Sequence, residues 1–263
     1  MAVRSPPSAP NLGGASVPAR VTLPRPVVLS PAARRAITRR MLLVHETSIE
    51  HVARVAGVDA AELKPFRSEL AQSDLAETLV GRGAGLAFVE ELPQAPLLYL
   101  LTRALRPNQV VETGIGPGYS TAWILAALAA NGAGELISVG PGPTAGRGRA
   151  VHPFTVGQFV PPRFRDRWTL VLGNTEDRLA EILKGGTPLD LYFYDNGPEA
   201  ARAHFELRAA WSALSGRGVL LSHHVDANSA WPEFCRSQGL APQILSPGPP
   251  PMGALAMHRD ARF

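Results

Sequence analysis

The chain holds a single cysteine, Cys235, so no disulfide can form within it and a reducing cytoplasm is the expected compartment. Lysine is nearly absent, at Lys64 and Lys184 only, so the net charge of +4 is carried by arginine. Aromatic residues are 6% of the chain, and none is interleaved with the basic pairs Arg34-Arg35 and Arg39-Arg40. A surface that stacks on single-stranded nucleic acid needs such interleaving, so these pairs read as a solvated basic face and nucleic acid is not the expected partner. No apolar run approaches the ~20 residues of a membrane-spanning helix. The opening stretch MAVRSPPSAPNLGG holds no continuous apolar segment of the secretory kind.

What is present suffices for one sizeable core, since 45% of the 263 residues are hydrophobic. Residues 1–30 crowd Pro, Ser and Gly with few large apolar groups, and are expected to form a disordered or extended arm. Ser30-Pro31 reads as an N-cap followed by proline in the first helical turn. Apolar residues at helical spacing then predict a helical cap over 31–93: a stretch from Ala32 to Gly57 with a break near His45 to Ser48, then a further helix from Pro65 to Val80.

From residue 94 to 263 the pattern changes to strands alternating with helices. NQVVETG, ELISVG, WTLVLGN, LDLYFYD and GVLLSHH are short runs rich in Val, Leu and Ile, with helical stretches between them. Such strands, buried on both faces, predict a doubly wound α/β domain with a mainly parallel sheet. APQILS and MGALAMH are expected as two last strands, pairing as an antiparallel hairpin at the sheet edge.

In an open α/β sheet, ligands bind beyond the carboxyl ends of the strands. The loop after the first strand, Glu112-Thr113-Gly114-Ile115-Gly116-Pro117-Gly118, therefore carries the strongest signal. Glycines there let the backbone approach a ligand, and the helix opening at Tyr119-Ser120-Thr121 offers N–H groups to an anion. The third glycine comes one residue too early for a dinucleotide fingerprint, and Glu112 would repel a pyrophosphate. A carboxylate suits the ammonium of an amino-acid group instead.

The form acid-x-Gly-x-Gly-x-Gly after a buried strand resembles motif I of class I S-adenosylmethionine-dependent methyltransferases. VVETGIGPGYSTAWIL, RWTLVLGNTEDRL, LDLYFYDNGPE and GVLLSHHVDANSAWPEFC follow in the order and spacing of small bacterial methyltransferases of the O-methyltransferase and cephalosporin-hydroxylase-like group, over about residues 95–240. The resemblance implies a Rossmann-like fold and S-adenosylmethionine lying across the strand ends. Glu112, Gly114, Gly116, Gly118, Ser120 and Thr121 would face its methionine part. The ends of strands two and three, with Asn174 and Thr175, would face its ribose and adenine, and Asp195 would lie at the reaction centre. The cap would serve as a dimer surface or a substrate lid.

Four positions depart from that family's pattern. Strand two runs into Gly140-Pro141-Gly142 where the family carries an acid that grips the ribose hydroxyls, so room is expected there for a different ligand. Strand three is followed by Gly173-Asn174 in place of Gly-Asp, and strand four by Asp195-Asn196-Gly197-Pro198 in place of Asp-x-x-His. Strand five ends in His223-His224 where metal-dependent relatives have Asp-Asn. Loss of the ribose acid corresponds to roughly 1.5–3 kcal/mol of cofactor affinity.

Asp195, His223 and His224 end neighbouring strands. One carboxylate and two imidazoles suit Zn²⁺, Fe²⁺ or Mn²⁺ better than Mg²⁺, provided the strand has ended by the second histidine. In the competing catalytic reading a histidine is the general base that deprotonates an acceptor hydroxyl. In the plainest, one histidine packs and the other is solvated. Asp226 and Asn228 read as caps for a helix at Ser229. The segment GPTAGRGRAVHPFTVGQFVPP, with Arg147, Arg149 and His152, reads as a substrate-covering lid.

The expected function is O-methylation of a small-molecule hydroxyl. The alternative is a methyltransferase-like protein that has lost methylation and acts as a regulatory or scaffolding partner, or as a repurposed enzyme. An NADP-binding oxidoreductase is disfavoured by Glu112 and by the glycine spacing.

Overall fold

The computed structural model describes residues 29–82, 94–141, 156–248 and 250–257. The Pro-rich arm before residue 29, Gly142, and the lid residues Arg147, Arg149 and His152 lie outside the described residues.

Helix α1 (Pro31–Met41) starts where its signals place it: the Ser30 hydroxyl accepts from the Ala33 N–H, and proline fills the first turn. The break that follows spans residues 42–45, earlier than expected, because α2 (Glu46–Ala56) recruits the Glu-Thr-Ser turn beneath its buried stripe Ile49, Val52 and Ala53. The single helix expected from Pro65 to Val80 is two, α3 (Leu63–Gln72) and α4 (Leu75–Gly81). Ser73 takes an extended conformation and its hydroxyl donates to the Leu70 carbonyl, a local bond that competes with continuation of the helix.

These helices have no separate core. α2 and α3 pack on α5 (Ala95–Leu105), and Met41, Val52, Leu63 and Leu79 belong to the same buried cluster as Leu100, Trp123 and Leu221. A buried cation fixes the junction: Arg103 of α5 reaches Glu69 of α3 at 2.8 Å and Asn131, and its guanidinium lies 4.4 Å from the centre of the Phe66 ring. A charge held this far from water needs partners of that kind.

Among the described residues seven strands form one sheet, in the order β3-β2-β1-β4-β5-β7-β6. They are β1 (Gln109–Thr113), β2 (Glu135–Pro141), β3 (Trp168–Gly173), β4 (Leu189–Tyr194), β5 (Leu214–Ser222), β6 (Ile244–Ser246) and β7 (Met252–Ala256). The first five are parallel; β7 lies antiparallel between β5 and β6, so the expected closing hairpin is present with its second strand on the inside. One face is covered by α5, α6 (Tyr119–Asn131) and the cap, the other by α7 (Thr175–Lys184), α8 (Ala200–Ala213) and α9 (Ala230–Ser237). The chain leaves β1 toward β2 on one side and reaches β4 on the other. The strand order therefore reverses between β1 and β4, and a crevice opens at their carboxyl ends.

Candidate active site

The crevice begins where β1 and β4 nearly touch. Asp195 N–H bonds to the Thr113 carbonyl at 2.9 Å, and a Cβ added to Gly114 would fall 2.1 Å from the Asp195 carbonyl oxygen. With φ at +90°, Gly114 can be nothing but glycine. The loop then rises to Gly116, where an added Cβ would meet no atom closer than 3.9 Å, because this position faces open space. That space is a cleft of about 510 Å³, lined by Gly114 to Pro117, Tyr119, Ser120, Asp195 to Pro198, His224 and Ala227. The size lies within the ordinary range for small-molecule sites.

The two ends of the cleft carry opposite character. On one side α6 begins after Gly118, an N-cap with no side-chain capping bond, so the positive end of the helix is presented to the cleft. On the other stands the Asp195 side chain, still 22% exposed, with its Oδ1 at 2.8 Å from His223 Nδ1. An ionised carboxylate only accepts, so Nδ1 of His223 is the donor in this bond.

The histidine pair meets the condition for convergence. β5 ends at Ser222, the buried His223 hydrogen-bonds through its N–H to the Tyr194 carbonyl at 2.8 Å, and His224 takes the left-handed conformation at φ +51°. A histidine in that region is uncommon and strained, and here the strain turns its side chain toward the same cleft as Asp195. The ring centres of His223 and His224 are 4.2 Å apart, and one ligating atom from each histidine and from Asp195 lie within 4.8 Å of one another. Desolvation of the His224 ring, and then the neighbouring His223, hold its pKa below the usual 6.5.

Other expected ligands are placed differently. Glu112 is buried beneath the loop and does not line the cleft; its carboxylate accepts from the hydroxyls of Ser120, Thr121 and, at 2.8 Å, Ser138. Burial pushes its pKa up, against the pull of those hydroxyls. These bonds tie it to the first turn of α6 and to β2. Thr121 is wholly buried in that anchor, while Ser120 reaches the cleft. Gly118 is packed against Val160 and Gly157. Asn174 caps α7, accepting from the Asp177 N–H at 3.0 Å, and the Thr175 hydroxyl accepts from Asn196; neither lines the cleft. The room expected beside Gly140 is filled by Ile115. Asn228 does act as a cap, through the Ala230 N–H.

One group of residues escaped the sequence reading. Glu206 of α8 is fully buried, accepts from Tyr192 and Asn196 at 3.1 Å each, and so ties α8 to the turn that follows β4. Tyr192 in turn bonds to Thr113 at 2.9 Å. The signal was available, since Ala203, Glu206, Leu207 and Ala210 share the inward stripe of a helix.

This sheet order, with the reversed β7 and a glycine loop at the end of the central strand, is the Rossmann-like fold of the class I methyltransferases. Residues 111–225, from within β1 to just past the histidine pair, match the family model described as "Methyltransferase domain". No curated protein matches the sequence. Among solved structures, the SAH-bound methyltransferase PaMTH1 of Podospora anserina is 17% identical, with 69% of this chain and 86% of that chain covered at a TM-score of 0.52. The O-methyltransferase from Bacillus cereus in complex with SAH is 16% identical, covering 70% and 91% at a TM-score of 0.52. A candidate O-methyltransferase from Klebsiella pneumoniae is 24% identical; this chain spans 55% of its length and is itself 50% covered, at a TM-score of 0.40. At these identities the likeness establishes the fold alone. No helix among the described residues is long and apolar enough to cross a membrane.

Proposed function

We propose that this protein is an S-adenosylmethionine-dependent methyltransferase that methylates a hydroxyl of a small molecule. The observation that carries the reading is the opposed pair of charges in the cleft. An amino-acid group is a zwitterion; its carboxylate suits the uncapped start of α6, and its ammonium suits Asp195. Gly116, Tyr119 and Ser120 would complete the seat. The residues present therefore fit the amino-acid end of the cofactor.

When bound, the cofactor supplies an electrophilic methyl group on sulfonium sulfur. His224 lines the same cleft and is neutral near pH 7, so it is placed to take the proton of an acceptor hydroxyl as that oxygen becomes nucleophilic. Asp195 holds His223 in place, and His223 packs against the base at 4.2 Å between ring centres. Beyond this, the rate rests on alignment of acceptor and methyl group in the cleft.

A second reading is favoured by the 4.8 Å cluster of ligating atoms from Asp195, His223 and His224: a transition-metal ion bound there would orient the acceptor oxygen. Metal content of the purified protein, and activity after chelation, separate it from the base reading. A cytoplasmic location suits a chain whose one cysteine is buried and free. A homodimer through the cap, where Leu43 is 57% exposed, is part of the reading and is checked by mass in solution.

Calorimetry with S-adenosylmethionine and S-adenosylhomocysteine tests the proposal directly. Binding, followed by methyl transfer to members of a panel of hydroxylated acceptors, is the expected result. No binding at millimolar ligand removes it, and binding without transfer to any acceptor returns the chain to the class of methyltransferase-like proteins without the activity.

A further inference from the structure

Ile115 stands between the cleft and the end of β2. It lines the cleft, yet it is buried, and its Cγ2 would lie 2.7 Å from a Cβ added at Gly140. Val156 Cγ1 at 3.3 Å and Leu172 Cδ2 at 3.4 Å complete the same wall. The end of β2 is thus an apolar surface already filled by the protein.

This is the place where nucleoside-binding α/β domains put a carboxylate, about twenty residues past the glycine loop, to grip the ribose hydroxyls. The chain has no Asp or Glu between Glu135 and Asp166. The first acids beyond β3, Glu176 and Asp177, lie in the opening turn of α7, and neither lines the cleft. A vicinal diol brought to this wall would meet methyl groups.

Resting on the cofactor reading above, we infer that the site recognises its nucleoside cofactor by the amino-acid end and presents no carboxylate to the ribose hydroxyls, with Ile115 as the residue that closes the place for one. Elsewhere a charge-assisted bond to a hydroxyl discriminates by roughly tenfold to hundredfold. Here no carboxylate supplies that discrimination, and ribose-modified cofactors are expected to bind as well as the natural one.

Calorimetric titration of three ligands tests the inference without any turnover. S-adenosylhomocysteine and its 3′-deoxy analogue are expected to bind within about threefold of each other, whereas 5′-methylthioadenosine, which lacks the amino-acid end, binds at least ~100-fold more weakly. A loss of ~30-fold or more for the deoxy analogue overturns the inference and leaves the cofactor reading standing. No binding of S-adenosylhomocysteine at millimolar concentration overturns both. The double variant Ile115→Ala/Gly140→Asp, its folding verified by thermal melting, clears the wall and sets a carboxylate beside the diol. It is expected to prefer the ribose form by ~10-fold or more. A folded double variant that still ignores the deoxy change also overturns the inference, because the diol then lies elsewhere.

Discussion

The two halves of the sheet's carboxyl edge have diverged in character. Beyond β4 and β5 stand Asp195, Asn196, His223 and His224, braced from below by Glu206 of α8 and Tyr192 of β4. On the β2–β3 half the described residues around Gly140 are apolar: Gly140 is filled by Ile115, and Leu170 and Leu172 of the edge strand are 36% and 43% exposed. The topology supplies both halves with equal openings. What separates them is where the chain has placed buried polar networks, since such networks hold side chains in one geometry only when every member is bonded. Chemistry has collected on the β4–β5 side, and the β2–β3 side has become a wall.

The sharpest way to break this comparison is at the point where the halves meet. Gly114→Ala drives a Cβ into the Asp195 carbonyl, 2.1 Å away, in a backbone conformation that alanine resists. It should destabilise the fold by more than about 4 kcal/mol, read as a lost or strongly lowered melting transition. Next in size is Glu112→Ala, which leaves the hydroxyls of Ser120, Thr121 and Ser138 without their acceptor in a dry site. A loss of about 3 kcal/mol in urea unfolding is expected, and Glu112→Gln should lose roughly a third of that.

His224→Ala should lower methyl transfer about 10²-fold while leaving the melting temperature unchanged, because the residue is exposed at the cleft. The pH dependence has a definite sign. The base works in its neutral form, so activity falls as pH drops through a pKa that lies below 6.5. The same depressed pKa means that the unfolded chain takes up the proton first. Stability from this group is therefore present above its unfolded pKa and is lost as pH falls through the folded one. An acid limb centred above 6.5 would contradict the assignment. On the opposite half, Leu172→Thr should change unfolding free energy by no more than about 0.5 kcal/mol, as expected of an exposed edge position. A large effect there would mean that the β3 edge is covered in solution.

Much of this was legible in the chain. The five parallel strands announced themselves as Val- and Leu-rich runs, and Asp195, His223 and His224 could be brought together from the topology alone. The surroundings of individual residues were less legible. Glu112 precedes the glycines, as a ligand-facing acid would. Strand alternation puts it on the face of Val110, beneath α6, where Ser120 and Thr121 receive it. The Asn174 amide suits an adenine edge, and a residue of that type before Thr-Glu-Asp is equally an N-cap, the place it takes in the structure. The filling of Gly140 by Ile115 was beyond reach, because nothing local in a sequence says which side chain crosses a loop to pack on another strand.

The central claim is that Asp195 and the start of α6 together hold the amino-acid end of the cofactor. Titration of S-adenosylhomocysteine into the wild-type protein and into Asp195→Asn tests it most directly, since asparagine keeps the shape and removes the charge. Binding by the wild type, weakened about tenfold or more in a normally folded Asp195→Asn variant, is the predicted result. Equal affinity in the two proteins, or no binding in either, would contradict it.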